Sequence, residues 1–221
     1  KTTQTPDPLW KMNKPLESIE TKTPSGLTKT VSTARSITTD PTNKLLLTWE
    51  GLTQTVNGRV TRRVFDSSRT YTTTSPAGRV QTRRLDTLGR TDRTQAGNLL
   101  TVDYVFDSQG RLYSTTQGAR VTTRSYHPSG DSSGYLWTVT NPASEVTTFT
   151  PDSLGRTLFE TRGTSTTGYG WDATSNLTAV MPPGRPTHQQ QYTASGLLER
   201  YTPPSAGVPN PTTTYTYNLE R

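Results

Sequence analysis

The chain has 221 residues, Lys+Arg 24 against Asp+Glu 17 for a net charge of +7, and a hydrophobic share of only 28%. No stretch approaches the ~20 apolar residues of a membrane-spanning helix, and the absence of Cys removes disulfide frameworks and thiolate metal sites. The apolar share is low for a conventional two-layer core, and roughly a fifth of the residues are Thr, which favours strands over disordered tails.

Taken in chain order, the first segment is set apart by its cations. Every Lys lies between Lys1 and Lys44, whereas Arg begins at Arg35 and runs to Arg221. Residues 1–50 are therefore read as a diverged, Lys-containing β segment of degenerate repeats, in which Pro24-Ser25-Gly26-Leu27-Thr28 keeps a turn. Residues 51–221 form the repeat region proper. The Arg residues there are spaced along the chain, often just after Gly, and form no basic block, so the charge reads as positional and no nucleic-acid partner is expected.

A repeat dominates this second segment. Phe65-Asp66, Leu85-Asp86-Thr87-Leu88-Gly89-Arg90 and Phe106-Asp107-Ser108-Gln109-Gly110-Arg111 are followed by Tyr126-His127-Pro128-Ser129-Gly130 and Asp152-Ser153-Leu154-Gly155-Arg156. Trp171-Asp172, Tyr192-Thr193-Ala194-Ser195-Gly196 and Tyr217-Asn218 complete the series. The Asp-equivalent positions 66, 86, 107, 127, 152, 172, 193 and 218 step by 20, 21, 20, 25, 20, 21 and 25. The longer steps absorb insertions such as Asp131-Ser132-Ser133-Gly134. Midway turns at Asn57-Gly58, Ser75-Pro76-Ala77-Gly78, Ala96-Gly97-Asn98, Gln117-Gly118, Arg162-Gly163 and Pro183-Gly184 complete a pattern of consecutive β-hairpins. Asp at the first turn position accepts from backbone N–H groups two or three residues on, and Gly three residues later supplies positive φ. The following Arg is expected to meet the Asp or the aromatic across the strands. The carboxylates Asp66, Asp86, Asp107, Asp152 and Asp172, with Gly89, Arg90, Gly110, Arg111, Gly130, Gly155, Arg156 and Gly196, are thus read as turn-building residues.

Phe106-Asp107-Ser108-Gln109-Gly110-Arg111-Leu112, repeated in register, resembles the YD repeat of the RHS (rearrangement hotspot) family, over the repeat region only. That resemblance implies an all-β strip of consecutive antiparallel hairpins that twists or spirals as an arc of a hollow shell, or an open filament. It also implies a secreted or cell-surface, non-enzymatic structural module, part of a shell enclosing a toxin domain or of a scaffold. A carbohydrate-binding or adhesion module and an edge-to-edge filament subunit are the alternatives. The expected partners are the remainder of a longer parent chain or identical subunits through open strand edges, an enclosed toxin domain, and glycans. The sequence ends within a repeat signature, Asn218-Leu219-Glu220-Arg221, which reads as a truncation. The self-cleaving core of toxin-releasing family members has no match, because Asp7-Pro8 is followed by Leu9 and Asp40-Pro41 by Thr42. Outside the family, a β-propeller is the competing fold, since two hairpins approach a blade length.

No catalytic constellation and no cofactor is expected. His127 and His188 are far apart, no Gly-x-Ser-x-Gly elbow occurs, and Gly168-Tyr169-Gly170 lacks a dinucleotide context. Trp137 and Trp171, beside Gly-containing segments, are the candidates for stacking against sugars.

Overall fold

A computed structural model describes residues 2–4, 16–204 and 212–218, with side chains described from residue 18 onward. Asp7-Pro8 and Leu219-Glu220-Arg221 lie outside the described residues. The chain divides into two compact units, Lys1–Arg120 and Val121–Arg221. The described residues contain strands and turns and no helix.

In the first unit, β1 (Thr2–Gln4), β2 (Leu16–Lys22), β3 (Thr28–Thr39), β4 (Leu47–Val56) and β5 (Arg59–Phe65) pair antiparallel in sequence order. The meander continues through β6 (Thr70–Thr74), β7 (Val80–Leu85), β8 (Thr91–Ala96), β9 (Val102–Phe106) and β10 (Leu112–Gln117). The change from Lys to Arg falls in the turn between β3 and β4, two strands that pair from Val31↔Val56 to Thr39↔Leu47. The second unit repeats the plan. It contains β11 (Arg120–Tyr126), β12 (Leu136–Thr140), β13 (Val146–Pro151), β14 (Thr157–Arg162), β15 (Ser165–Trp171), β16 (Leu177–Met181), β17 (His188–Tyr192), β18 (Leu198–Thr202) and β19 (Thr213–Thr214). Each strand again pairs with the next, antiparallel. The expected all-β succession of antiparallel hairpins is what each unit shows.

Loop chemistry sets the register. Asn57 and Gly58 both adopt positive φ, 48° and 78°, and join β4 to β5 with Val56 opposite Arg59. That is the mirror-image turn whose twist matches the strands it connects. The Asp-bearing turns close the other ends of the hairpins, and most introduce a bulge where the return strand begins, as at Asp92, between the partners of Leu85 and Arg84, or at Leu158, between those of Pro151 and Thr150.

Because strand side chains alternate, the register sorts residues onto two faces. In the first unit, Arg63, Thr73, Gln81 and Ala96 lie opposite one another across β5–β8. Beside them on the same face run Phe65, Tyr71, Arg83, Thr94, Val102 and Gln117. In the second unit one face carries a run of hydroxyls, Ser125, Thr138, Thr148, Thr161 and Thr166, in successive register. The Ser125 and Thr138 hydroxyls are 2.6 Å apart, and those of Thr161 and Thr166 are 3.0 Å apart. Among the described residues Phe65 is the only large apolar side chain that is buried, and no side chain is fully enclosed. A low apolar share therefore suffices. Each strand is stabilised by its neighbours in sequence, not by a shared interior.

Candidate functional site

The repeated turn is the most regular feature of the chain. In Asp86–Arg90, Asp86 N–H donates to the Arg90 carbonyl at 2.8 Å, and Gly89 N–H to the Asp86 carbonyl at 3.2 Å. The Asp86 carboxylate then accepts from the N–H groups of Leu88 at 2.8 Å and Arg90 at 2.9 Å, and from Arg90 Nε–H at 2.7 Å. Asp107 with Gln109 and Arg111, and Asp152 with Leu154 and Arg156, reproduce the arrangement. The accepted N–H groups are two and four residues on, not two or three. The second and third residues turn the fourth N–H toward the first carbonyl, and positive φ at the fourth then brings the fifth N–H back to the carboxylate.

Other residue types build the same loop. Asn176 replaces Arg after Asp172, with Nδ2 donating to Oδ2 at 2.9 Å and Ser175 at φ 67°. Thr193 Oγ1 accepts from Leu197 N–H at 3.1 Å, and Arg69, at φ 60°, stands where Gly would after Asp66. Ser75–Arg79 and Asn141–Glu145 are further copies, at positions where the sequence suggests only midway turns or none. His127 opens a nine-residue loop closed by Tyr135, with Gly130 at φ 81° inside it. Those four extra residues explain the 25-residue step from 127 to 152.

The carboxylates are held ionised. For Asp86, Asp107 and Asp152, loss of water raises the pKa, but hydrogen bonds from the N–H and guanidinium of the fifth residue outweigh it and bring the pKa below the ordinary carboxylate value. The Asn176 side chain leads the same effect on Asp172, and the Ser68 hydroxyl leads it on Asp66.

The fifth residue also reaches the next repeat. The Arg90 guanidinium lies 4.3 Å from the centroid of Phe106 and within 3.3 Å of where a Cβ on Gly110 would stand. Arg156 lies 5.9 Å from the Trp171 centroid and donates through Nη1 to the Asp172 carbonyl at 2.8 Å and to Ser175 Oγ at 3.2 Å. Tyr135 covers Gly155, and Asn176 Oδ1 lies beside Gly196. The aromatic that meets a turn arginine is thus the one before the next repeat's Asp, 16 residues ahead of Arg90 and 15 ahead of Arg156, not the one before its own Asp. Four turns thus lean on their successors.

The first unit carries a separate polar cluster on one face. Glu50, 5% exposed, accepts from Arg35 Nε–H at 2.7 Å and Arg63 Nη2–H at 3.4 Å. The Tyr71 ring packs at 4.7 Å from Phe65 and meets two guanidiniums, Arg63 at 5.4 Å and Arg83 at 4.9 Å. Strand alternation is the only sequence signal that could have gathered these residues, and it gives no hint that Glu50 is so well covered.

The tryptophans differ in setting. Trp171 Nε1–H donates to the Thr157 carbonyl at 2.9 Å, and Arg156 approaches its ring. Trp137 is 43% exposed and stacks on His127 at 5.5 Å. His188 Nδ1 lies 2.6 Å from the Tyr201 hydroxyl, in the same unit but within a separate pair. Among the described residues no group of three or more His, Cys, Asp or Glu could hold a metal ion.

No family model matches the sequence, and no curated protein does. Solved structures do match. The crystal structures of TcdB2-TccC3-TEV, TcdB2-TccC3-Cdc42 and TcdB2-TccC3 without hypervariable C-terminal region align at TM-scores of 0.55, 0.54 and 0.55. Each comparison covers 96% of this chain and 14% of the other, at 10% identity. At that identity the likeness is one of fold. The chain is built like a short stretch of those much longer proteins.

Proposed function

We propose that this chain is a wall segment of an RHS-type shell that encloses a passenger polypeptide. The observation that carries the reading is the succession of Asp-type turns, four of which lean on the next. This is a device for continuing a strip, and it comes with alignment of 96% of the chain to proteins of the TcdB2-TccC3 type. The role is structural and non-enzymatic: the carboxylates recurring once per repeat are engaged by their own turns. A secreted or surface setting goes with the reading, and no helix among the described residues is long and apolar enough to cross a membrane. Electron microscopy and protease digestion of the polypeptide that carries this chain test the proposal. A hollow particle with this segment in its wall and a passenger that resists protease are expected. A solid particle, a filament, or a passenger cut as fast as free polypeptide would refute it.

A further inference from the structure

The arginine face of the first unit holds a groove of about 580 Å³. Its floor is the pair of register rows across β5–β10, so its long direction crosses the strands. The cations along this face are unevenly satisfied. Glu50 is bonded by both Arg35 and Arg63. Arg83 is exposed, and among the described residues it makes no ion pair; its one recorded partner is the Tyr71 ring. A guanidinium resting on an aromatic ring keeps its N–H fork free and pre-oriented for a carboxylate.

The rest of the groove selects among carboxylate carriers. Gln81, two residues from Arg83 on β7, and Gln117, in the Arg83 row on β10, place amides along the floor, suited to the N–H and C=O groups of an extended chain. One rim is aliphatic: Leu99 and Leu100 are 66% and 65% exposed at the turn after β8. The only aromatic ring in the groove, Tyr71, is approached by two guanidiniums and by Phe65, which leaves no open face for a sugar to stack on. Charge and rim together fit a peptide better than an acidic glycan.

We propose that this groove binds an extended acidic peptide segment, with one carboxylate seated on Arg83 and a neighbouring aliphatic side chain against Leu99 and Leu100. The proposal does not rest on the shell reading, since it concerns one face of one unit.

Fluorescence anisotropy of a fluorescein-labelled peptide alternating Glu and Leu, titrated with the 221-residue chain, provides the test. Binding should weaken as salt rises. Arg83→Glu and a Gln-for-Glu peptide should each lower affinity by about tenfold or more, the scale of one charge-assisted pair. Arg62→Glu makes the same charge change on the opposite face and should leave affinity unchanged. Leu99→Ser, at an exposed turn position that spares the strands, should also weaken binding and serves as the second variant if Arg83→Glu alters the circular dichroism. Equal losses from Arg83→Glu and Arg62→Glu would reduce the effect to net charge and overturn the proposal. So would no binding at millimolar peptide, or an oligogalacturonate that displaces the peptide as well as unlabelled peptide does.

Discussion

The contact between consecutive turns can be measured at Gly155. Its φ of 81° is close to the 77° of Gly196 in the same unit, so Ala at either position meets the same backbone penalty. Left-handed backbone costs an L-residue about 1–2 kcal/mol, and the stiffer unfolded chain of Ala offsets this with about 0.4–1 kcal/mol of stabilisation. Gly196→Ala should therefore cost about 1 kcal/mol, because its new Cβ would stand at an ordinary 3.7 Å from Asn176 Oδ1. A Cβ at Gly155 would instead lie 2.7, 2.9 and 3.1 Å from three ring carbons of Tyr135. The ring must swing off the turn, which adds about 1 kcal/mol or more of overpacking. In urea, with a slope of about 2 kcal/mol/M, Gly155→Ala should move the midpoint by about 1 M and Gly196→Ala by about half as much. Tyr135→Ala removes the obstacle, so Gly155→Ala made in that background should cost no more than Gly196→Ala, a coupling of about 1 kcal/mol. Equal costs for the two glycines in the wild-type background, or no rescue by Tyr135→Ala, would show that consecutive turns are independent.

Three further outcomes follow from the same geometry. Asp86, Asp107 and Asp152 have folded pKa values below the unfolded value of about 3.9, so their contribution is complete above that pH and is lost as pH falls through the folded values. The triple Asn variant should be less stable than wild type at neutral pH and converge with it in urea titrations as pH falls through the folded values. A constant offset across pH would contradict the ionised turns. Arg156→Lys keeps the charge but loses the fork that spans Asp152, the Asp172 carbonyl and Ser175. It should cost about 1–2 kcal/mol in denaturant midpoint and make Trp171 fluorescence easier to quench, whereas an unchanged midpoint would reduce the bridge to a charge. Glu50→Gln leaves Arg35 and Arg63 without their shared counter-charge at one of the most covered positions in the chain. A loss of about 3 kcal/mol is expected by chemical denaturation, and a loss under about 1 kcal/mol would mean the cluster is solvated in practice.

How far the sequence could be read depends on whether a feature is local. The Asp86–Arg90 turn is legible because all its hydrogen bonds close within five residues, and the residue types are those the loop demands. Asn141–Glu145 is not legible in the same way, because Ser144 takes positive φ where Gly usually stands, so the loop has the geometry without the signature. The partner of Arg90 was harder still. Its own repeat offers Asp86 and Leu85, and only the stacking of hairpins at the strand spacing brings Phe106 beneath the guanidinium. Glu50 lies furthest from what sequence can reveal. Its two arginines are 15 residues before it and 13 after it, on separate strands, and nothing in their spacing announces a buried carboxylate.

These distinctions bear on how such a strip grows. A turn closed by its own Asp and Arg can form before its neighbours do, but its fourth residue is left with one side bare. At three of them the last residue of the preceding turn fills that space: Arg90 beside Gly110, Tyr135 over Gly155, Asn176 near Gly196. These three glycines consequently answer two demands, the positive φ of their own loop and the side chain arriving from the previous one. Where the fourth residue is Ser175 instead, the arriving Arg156 meets a hydroxyl it can bond, and the contact survives in polar form. The covering residue varies among Arg, Tyr and Asn while the site it covers stays small or hydrogen-bonding, so the constraint lies on the receiving turn. A strip built this way tolerates sequence drift in each repeat provided that successive turns keep their spacing.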